Sequence, residues 1–350
     1  IYTVLGGLRA VLYTEMLQTI LLIGGAMLVT VIGLVNLGGV SALQAAADPG
    51  TFDMWRPMNH PSFPWTGILF GAPILGVWYW CTDQFIVQRV LSANGIDHAR
   101  RGTIFGGFLK ILPVFIFVIP GVIAAALVKT GQLEIARADH ALPEMIRSLL
   151  PVGVRGLVMA GFLAALMSSL AAVFNSCSTL ITWDIYRKLR PGATERQLVL
   201  FGKFATLLLV GFGLLWIPFM KHISGQLYVY LQSVQAYISP PIAAVFLLGI
   251  FWKRVNSAGA ITSLATGFVL GAARLVLELA KGSTGGMLHW YADINFLHFA
   301  VLLFAVCTGV LIAVSRVTAP QSAASLAGLT FATTGPGAGA GSDPKWRRRD

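Results

Sequence analysis

The stretch GVWYWCTDQFIVQR, Gly76 to Arg89, closes a long apolar run with aromatic side chains and then with polar ones. Thr82, Asp83, Gln84, Gln88 and Arg89 follow directly on residues that read as membrane helix. Upstream, Gly71, Pro73 and Gly76 interrupt the same run. Proline removes a backbone donor and clashes with the preceding turn. Backbone groups freed at membrane depth are tolerated only where protein buries them or a watery cavity meets them. The stretch therefore predicts a discontinuous membrane helix with a polar end.

Composition extends that reading to the whole chain. Hydrophobic residues make up 56% and charged residues 11%, where a soluble domain carries about 25% charged residues. Mean hydropathy is +0.75. Uncharged runs near or above the roughly 20 residues that a spanning helix needs recur at 16–47, 57–82, 111–128, 156–183, 204–220, 223–252, 255–273 and 294–315. These predict an all-α polytopic membrane protein of about eight spans, most long enough to require tilt or breaks. Cys81, Cys177 and Cys307 all fall within apolar runs and read as free thiols rather than a disulfide framework. The six histidines show no metal-ligand spacing. No nucleophile elbow or nucleotide motif is present, and GPGAGAGSDP near the end is followed by no Lys-Ser/Thr pair. An enzyme is not expected.

The net charge of +11 fits basic cytoplasmic loops better than nucleic-acid binding. Loop 88–102 carries Arg89, Arg100 and Arg101, and loop 184–197 carries Arg187, Lys188, Arg190 and Arg196. Turn 253–256 carries Lys253 and Arg254, and the tail carries Arg316, Lys345, Arg347, Arg348 and Arg349. All fall on one side if each run spans once. The other side receives 48–56, 129–147 and 281–293, of mixed charge. The expected location is the plasma (inner) membrane, multi-pass, with the basic side cytoplasmic. Residues 1–319 read as one transmembrane domain. Residues 320–350 read as a flexible cytoplasmic segment ending in KWRRRD, a cluster that often flanks a further membrane helix. The chain starts at Ile1 without a basic leader, so earlier helices are expected to precede it.

Two interruptions are expected, one at Gly71–Gly76 and one at QSVQAYISPP, Gln232 to Pro241. Discontinuous helices are how many transporters build ion and substrate sites; a packing kink is the other reading of each. In AALMSSLAAVFNSCST, Ala165, Ser168 and Ser169 stand at i, i+3 and i+4 on one helix face, and Ala172, Asn175, Ser176 and Thr179 extend the stripe. Serine hydroxyls beside a backbone carbonyl suit a hard cation such as sodium. A small-residue stripe equally suits close helix packing. Lys110 lies about a turn or two inside the third run, at about 1.5 Å per residue. It either snorkels to the cytoplasm or meets a partner or polar solute, because intramembrane charges are costly. Tyr79 and Trp80 lie too deep for interface-belt aromatics, and their faces suit the C–H faces of a sugar. Gln232 both donates and accepts. Lysine, glutamine and aromatics on one cavity would suit a neutral polyhydroxylated solute.

These residues stand within longer motifs. GGLRAVLYTEMLQT, WYWCTDQFIVQRVLSA, FLKILPVF, LMSSLAAVFNSCSTLITWDIY, YLQSVQAYISPPIAAVFLLGIFWKRVN and LAGLTF together closely resemble the sodium/solute symporter family, nearest its sodium–glucose cotransporter branch, over roughly residues 1–330. The resemblance implies a LeuT-type inverted repeat, of which this chain would begin just before the fifth helix of the first half. It implies a sodium site at the Ala165 carbonyl and the Ser168 and Ser169 hydroxyls. Lys110 and Gln232 would hydrogen-bond the solute, Tyr79 would be the inner gate beneath it with Trp80 beside it, and Arg89 would pair with an acidic residue on the absent first helix.

The implied activity is import of a hexose with sodium by alternating access, across a lipid bilayer and without nucleic acid. Gly76 and Val229 stand where sugar transporters of the family carry polar residues, which leaves open inositol, an amino acid or a carboxylate as the solute. A solute sensor attached to a signalling domain is the reading from another class. Family members that move two sodium ions carry Thr and Ser just after the site serines and an Asp on the preceding repeat's fifth helix. Here those positions are Ala171, Ala172 and Glu15, which implies one sodium per solute.

Overall fold

The computed structural model describes residues 2–220, 227–279 and 286–333. They are helical with short connections, and seven helices among them are long and apolar enough to cross a membrane. The run expected at 57–82 differs from the others. Its residues form α3 (Trp65–Phe70), α4 (Ala72–Val77), a π-helical turn at Trp78–Thr82 and α5 (Gln84–Leu91). The eighth apolar run is thus a chain of short helical pieces, as its glycines and proline predict.

Backbone contacts divide the chain into two compact units, 1–52 with 100–227 and 53–99 with 228–350. The first holds α1 (Tyr2–Leu37), α2 (Val40–Ala46), most of α6 (Ile96–Leu109), α7 (Ile119–Lys129), α8 (Ala141–Leu149), α9 (Val152–Leu180), α10 (Arg187–Leu189) and α11 (Glu195–Met220). Gly38 and Gly39 end α1 with φ near +99° and +95°. That left-handed turn, which glycine adopts without steric cost, lets their N–H groups donate back to Val35 and Leu34 carbonyls at 3.1 and 2.8 Å. Val29, Ile123, Leu127, Met145 and Val158 are fully buried at the centre. Close approach of α1 and α9 depends on Gly161, where an added Cβ would sit 3.2 Å from the Leu21 carbonyl.

A second π-helical turn, Val114–Val118, precedes α7. The next bond in its i to i+5 pattern would run from residue 120 to the Phe115 carbonyl, but Pro120 has no N–H. Thr30 on α1 supplies the missing donor, its Oγ1 lying 3.0 Å from Phe115 O. An interrupted membrane helix is thereby satisfied from inside the protein.

The second unit contains α3 to α5, α12 (Leu227–Phe251), α13 (Ser257–Leu279), α14 (Gly286–Asp293), α15 (Phe296–Val317) and α16 (Ala323–Leu326). Tyr237, Phe299 and Leu303 lead its core. A Cβ added at Gly71 would overlap the Leu297 carbonyl, and one at Gly67 would lie 2.8 Å from Leu297 Cβ. These glycines seat α3 on the start of α15, where Thr66 Oγ1 also meets His298 Nε2 at 2.7 Å.

The expected interruption at Gln232–Pro241 is corrected. α12 runs unbroken through Pro240 and Pro241. The prolines instead form a packing notch. A Cβ on Gly267 of α13 would run into the Pro241 ring, and one on Gly271 would overlap the Tyr237 carbonyl that Pro241 leaves without its helical donor. Close backbone packing absorbs the defect, so no gap opens.

Two further boundaries differ from expectation. Residues 88–102 are mostly helix, with only Ser92–Gly95 between α5 and α6. The part of the expected flexible segment that the structure describes, up to 333, is tied back. Asn256 Nδ2 donates to Thr318 Oγ1 and Ala319 O at 2.6 and 2.8 Å, and Phe331 N donates to Ile250 O at 3.0 Å. GPGAGAGSDP and KWRRRD lie outside the described residues.

Candidate functional site

The predicted site residues divide between the units. Lys110, Ala165, Ser168 and Ser169 belong to the first; Tyr79, Trp80, Arg89 and Gln232 belong to the second.

In the second unit, the opening stretch resolves into a π turn followed by a cap. The Asp83 N–H donates to Trp78 O at 3.1 Å and closes the wide turn. Thr82 Oγ1 donates to the same carbonyl at 2.6 Å. Asp83 leaves the helical region (φ −72°, ψ 119°), and its carboxylate accepts from Phe85 N at 3.0 Å, so it serves as N-cap of α5. This is why polar residues follow the aromatics directly: Thr82 and Asp83 end one helical piece and start the next. Within the turn, Tyr79 packs edge-to-face against Trp80 at 5.2 Å, and Trp78 lies 6.2 Å from Tyr79. Tyr79 is half-buried and Trp80 exposed. Arg89 sits over the Phe85 ring at 4.3 Å. π turns often occur at functional sites, but no residue pattern distinguishes one from an ordinary turn, and the sequence did not reveal it. Gln232 lies half-buried on continuous helix, one turn after Val229.

In the first unit, Ala165, Ser168 and Ser169 share one face of unbroken α9, with Ala165 and Ser168 half-buried and Ser169 exposed. The lower stripe behaves differently. Ser176 Oγ donates to Val173 O at 2.9 Å, while Ser178 Oγ and Thr179 Oγ1 donate to Asn175 O at 3.0 and 2.8 Å. Those hydroxyls are spent on their own helix, and Ala171, Ala172 and Ser176 are buried. Packing therefore accounts for the lower half of the stripe and leaves the serine pair outside that account. The Glu15 side chain lies outside the described residues. Lys110 follows α6, its N–H donating to Gly106 and Gly107 carbonyls at 3.2 Å, and its side chain is exposed. Because α6 begins at Ile96, Lys110 lies midway along an apolar stretch of 34 residues, 96–129, deeper than counting from residue 111 suggests.

Sequence reasoning missed one cluster, Arg274, Glu278 and Tyr237. The Tyr237 hydroxyl donates to Glu278 Oε2. Arg274 Nη1 lies 3.6 Å from the same carboxylate, and Nη2 donates to Ile294 O at 3.0 Å. Arg274 and Glu278, one helical turn apart near the end of α13, carried the available signal as an i, i+4 charge pair at the edge of an apolar run. Among the described residues no group of three or more His, Cys, Asp or Glu side chains gathers as for a metal.

The family model for the sodium:solute symporter family matches residues 1–267. The chain belongs to the sodium:solute symporter family. Within this symporter family it is 39% identical to the sodium/mannose cotransporter of Bos taurus over 95% of this chain and 62% of that protein. It is 38% identical to sodium/glucose cotransporter 4 of Danio rerio, over 95% of this chain and 56% of the relative. The sodium/myo-inositol cotransporter 2 of Sus scrofa is likewise 38% identical, over 95% and 55%. The chain thus spans about 55–62% of the length of these relatives. A solved structure described as the substrate-bound outward-open state of a Na+-coupled sialic acid symporter superposes with a TM-score of 0.72, covering 92% of this chain and 65% of that one at 24% identity. The likeness establishes the fold, which is the LeuT-type helical arrangement expected from the motifs.

Proposed function

We propose that this protein takes part in sodium-coupled import of a neutral polyhydroxylated solute, of the hexose or cyclitol class, by alternating access. The observation that carries the reading is its similarity, over 95% of the chain, to relatives named for mannose, glucose and myo-inositol. These share ring hydroxyls and lack charge, so a site that suits one chemistry suits them all. The orientation follows charge placement, with basic loops and the tail facing the cytoplasm of the plasma (inner) membrane.

Sodium binds at the Ala165 carbonyl with the Ser168 and Ser169 hydroxyls, hard oxygen donors for a hard cation. Lys110 and Gln232 hydrogen-bond solute hydroxyls, Tyr79 closes beneath the solute with Trp80 beside it, and Arg89 anchors the helix below the gate. Sodium favours the outward-open state, and loss of sodium to the cytoplasm favours inward opening. Coupling is the difference in affinity between the two states. The membrane potential adds about 2.3 kcal/mol per charge per 100 mV. With Ala171 and Ala172 in place of hydroxyl donors, one sodium accompanies each solute.

The test is uptake of labelled glucose, mannose, myo-inositol, an amino acid and a carboxylate into proteoliposomes, with and without an inward sodium gradient. Sodium-dependent accumulation of a hexose or cyclitol is expected. Accumulation of only the amino acid or the carboxylate, or uptake indifferent to sodium, overturns the proposal.

A further inference from the structure

Arg274 has a role that import through Lys110 and Gln232 does not explain. It is 3% exposed in α13, a helix apolar enough to cross a membrane, where a charge is costly. Its guanidinium lies 5.2 and 5.7 Å from the Tyr237 and Phe299 ring centres. Nη2 is satisfied by Ile294 O, and Nη1 faces Glu278 at ion-pair distance only. Nε and Nη1 are buried and make no hydrogen bond among the described residues. Buried donors left unmade carry their full desolvation cost, so a partner for them is expected.

The side chain lines a cavity of about 480 Å³ within the second unit, in the size range of small-molecule sites, roughly 300–1,000 Å³. Its wall comes from α12, α13, the segment before α3 and the turn between α14 and α15. Asn59, His60, Ser233, Glu278, Asp293 and His298 add polar groups, and Phe296 adds an aromatic one. Gln232 is not among the lining residues. The formal charge of one arginine against two carboxylates is +1 − 2 = −1 with neutral histidines, which disfavours an anion. Donors and acceptors alternate around the wall. Hydroxyls, which both donate and accept, match such a wall, whereas a purely apolar ligand would leave Arg274 unsatisfied.

We propose that this cavity is a second solute site that takes a neutral polyhydroxylated ring, a monosaccharide or cyclitol. Arg274 donates through Nε and Nη1 to ring oxygens, and Glu278 accepts from a hydroxyl. The inference rests on the cavity's own donors and acceptors, not on the assignment of Lys110 and Gln232.

Equilibrium binding of labelled α-methyl-glucoside and myo-inositol to purified full-length protein tests it. In a Lys110→Ala, Gln232→Ala background, saturable binding should persist for at least one of the two probes. Adding Arg274→Lys or the near-isosteric Glu278→Gln should weaken that residual binding about tenfold, with an unchanged size-exclusion profile. Residual binding indifferent to both added changes, or no residual binding, overturns the proposal. Should Arg274→Lys fail to fold, Glu278→Gln decides alone. If the Lys110→Ala, Gln232→Ala pair leaves total binding untouched, the transport-site assignment fails. The cavity is then judged by Arg274→Lys and Glu278→Gln in the otherwise native protein.

Discussion

Single side chains carry the sharpest expectations. Tyr79 sits in the π turn with its ring edge-to-face against Trp80 at 5.2 Å. Tyr79→Ala removes that ring, so coupled uptake should fall several-fold while membrane insertion is retained. Wild-type uptake in the variant would remove Tyr79 from the gate. Lys110→Ala and Gln232→Ala should each weaken apparent solute binding by about 1–3 kcal/mol, the cost of a lost polar contact in a buried site, and should alter sodium binding less. Unchanged solute affinity in both would leave snorkelling for Lys110 and packing for Gln232. At Ser168 and Ser169, replacement by alanine should raise the sodium concentration needed for half-maximal uptake. The sodium Hill coefficient should stay near one in the native protein, because Ala171 and Ala172 offer no hydroxyl for a second ion. Parallel isotope fluxes giving about two sodium ions per solute would refute that stoichiometry.

Among elements, α12 and α13 show how a sequence that looks broken makes a straight helix. Pro240 and Pro241 remove two helical donors, yet α12 continues because Gly267 and Gly271 let α13 approach closely. Gly271→Val would place carbon atoms on the Tyr237 carbonyl. It should destabilise the protein by about 1–3 kcal/mol, as overpacking typically does, and lower the thermal midpoint in detergent. Gly249→Ala, at a glycine on α12 with nothing within 4 Å of an added Cβ, should leave the midpoint unchanged. Equal midpoints for the two variants would show that the close approach matters little. The turn at Val114–Val118 works by a different device: Thr30 supplies a hydroxyl from another helix where Pro120 cannot supply an N–H.

For the whole molecule, the number and direction of crossings are the testable property. The seven long helices and the broken stretch 65–91 give eight crossings if each passes once. Residues 92–95, 190–194 and 252–256 then share the basic, cytoplasmic side, and 131–140 lies opposite. Single cysteines introduced at Ala93, Gly192 and Gly131, with Cys81, Cys177 and Cys307 replaced, should be labelled by an impermeant maleimide from opposite faces. Gly131 should react from outside in intact cells, and the other two only after permeabilisation. Labelling of Gly131 and Gly192 positions from the same side would refute the assignment.

The sequence by itself determined the class of molecule, because burying 56% hydrophobic residues with 11% charge has one common solution, a bundle of membrane helices. It also determined that residues 65–91 are interrupted, since Pro73, the glycines and Asp83 act through their immediate neighbours. The symporter motifs and the face shared by Ala165, Ser168 and Ser169 were legible for the same reason: helix periodicity is local. Tertiary structure alone decided which proline interrupts a helix. Pro241 is absorbed by Gly267 and Gly271, which lie 26 and 30 residues further along the chain (267 − 241, 271 − 241). It also split the α9 stripe into spent hydroxyls and a serine pair, and gathered Arg274, Glu278 and Tyr237 around a cavity with the segment before α3 and the turn before α15. Those outcomes depend on which distant backbone a side chain meets, and a linear pattern does not encode that meeting.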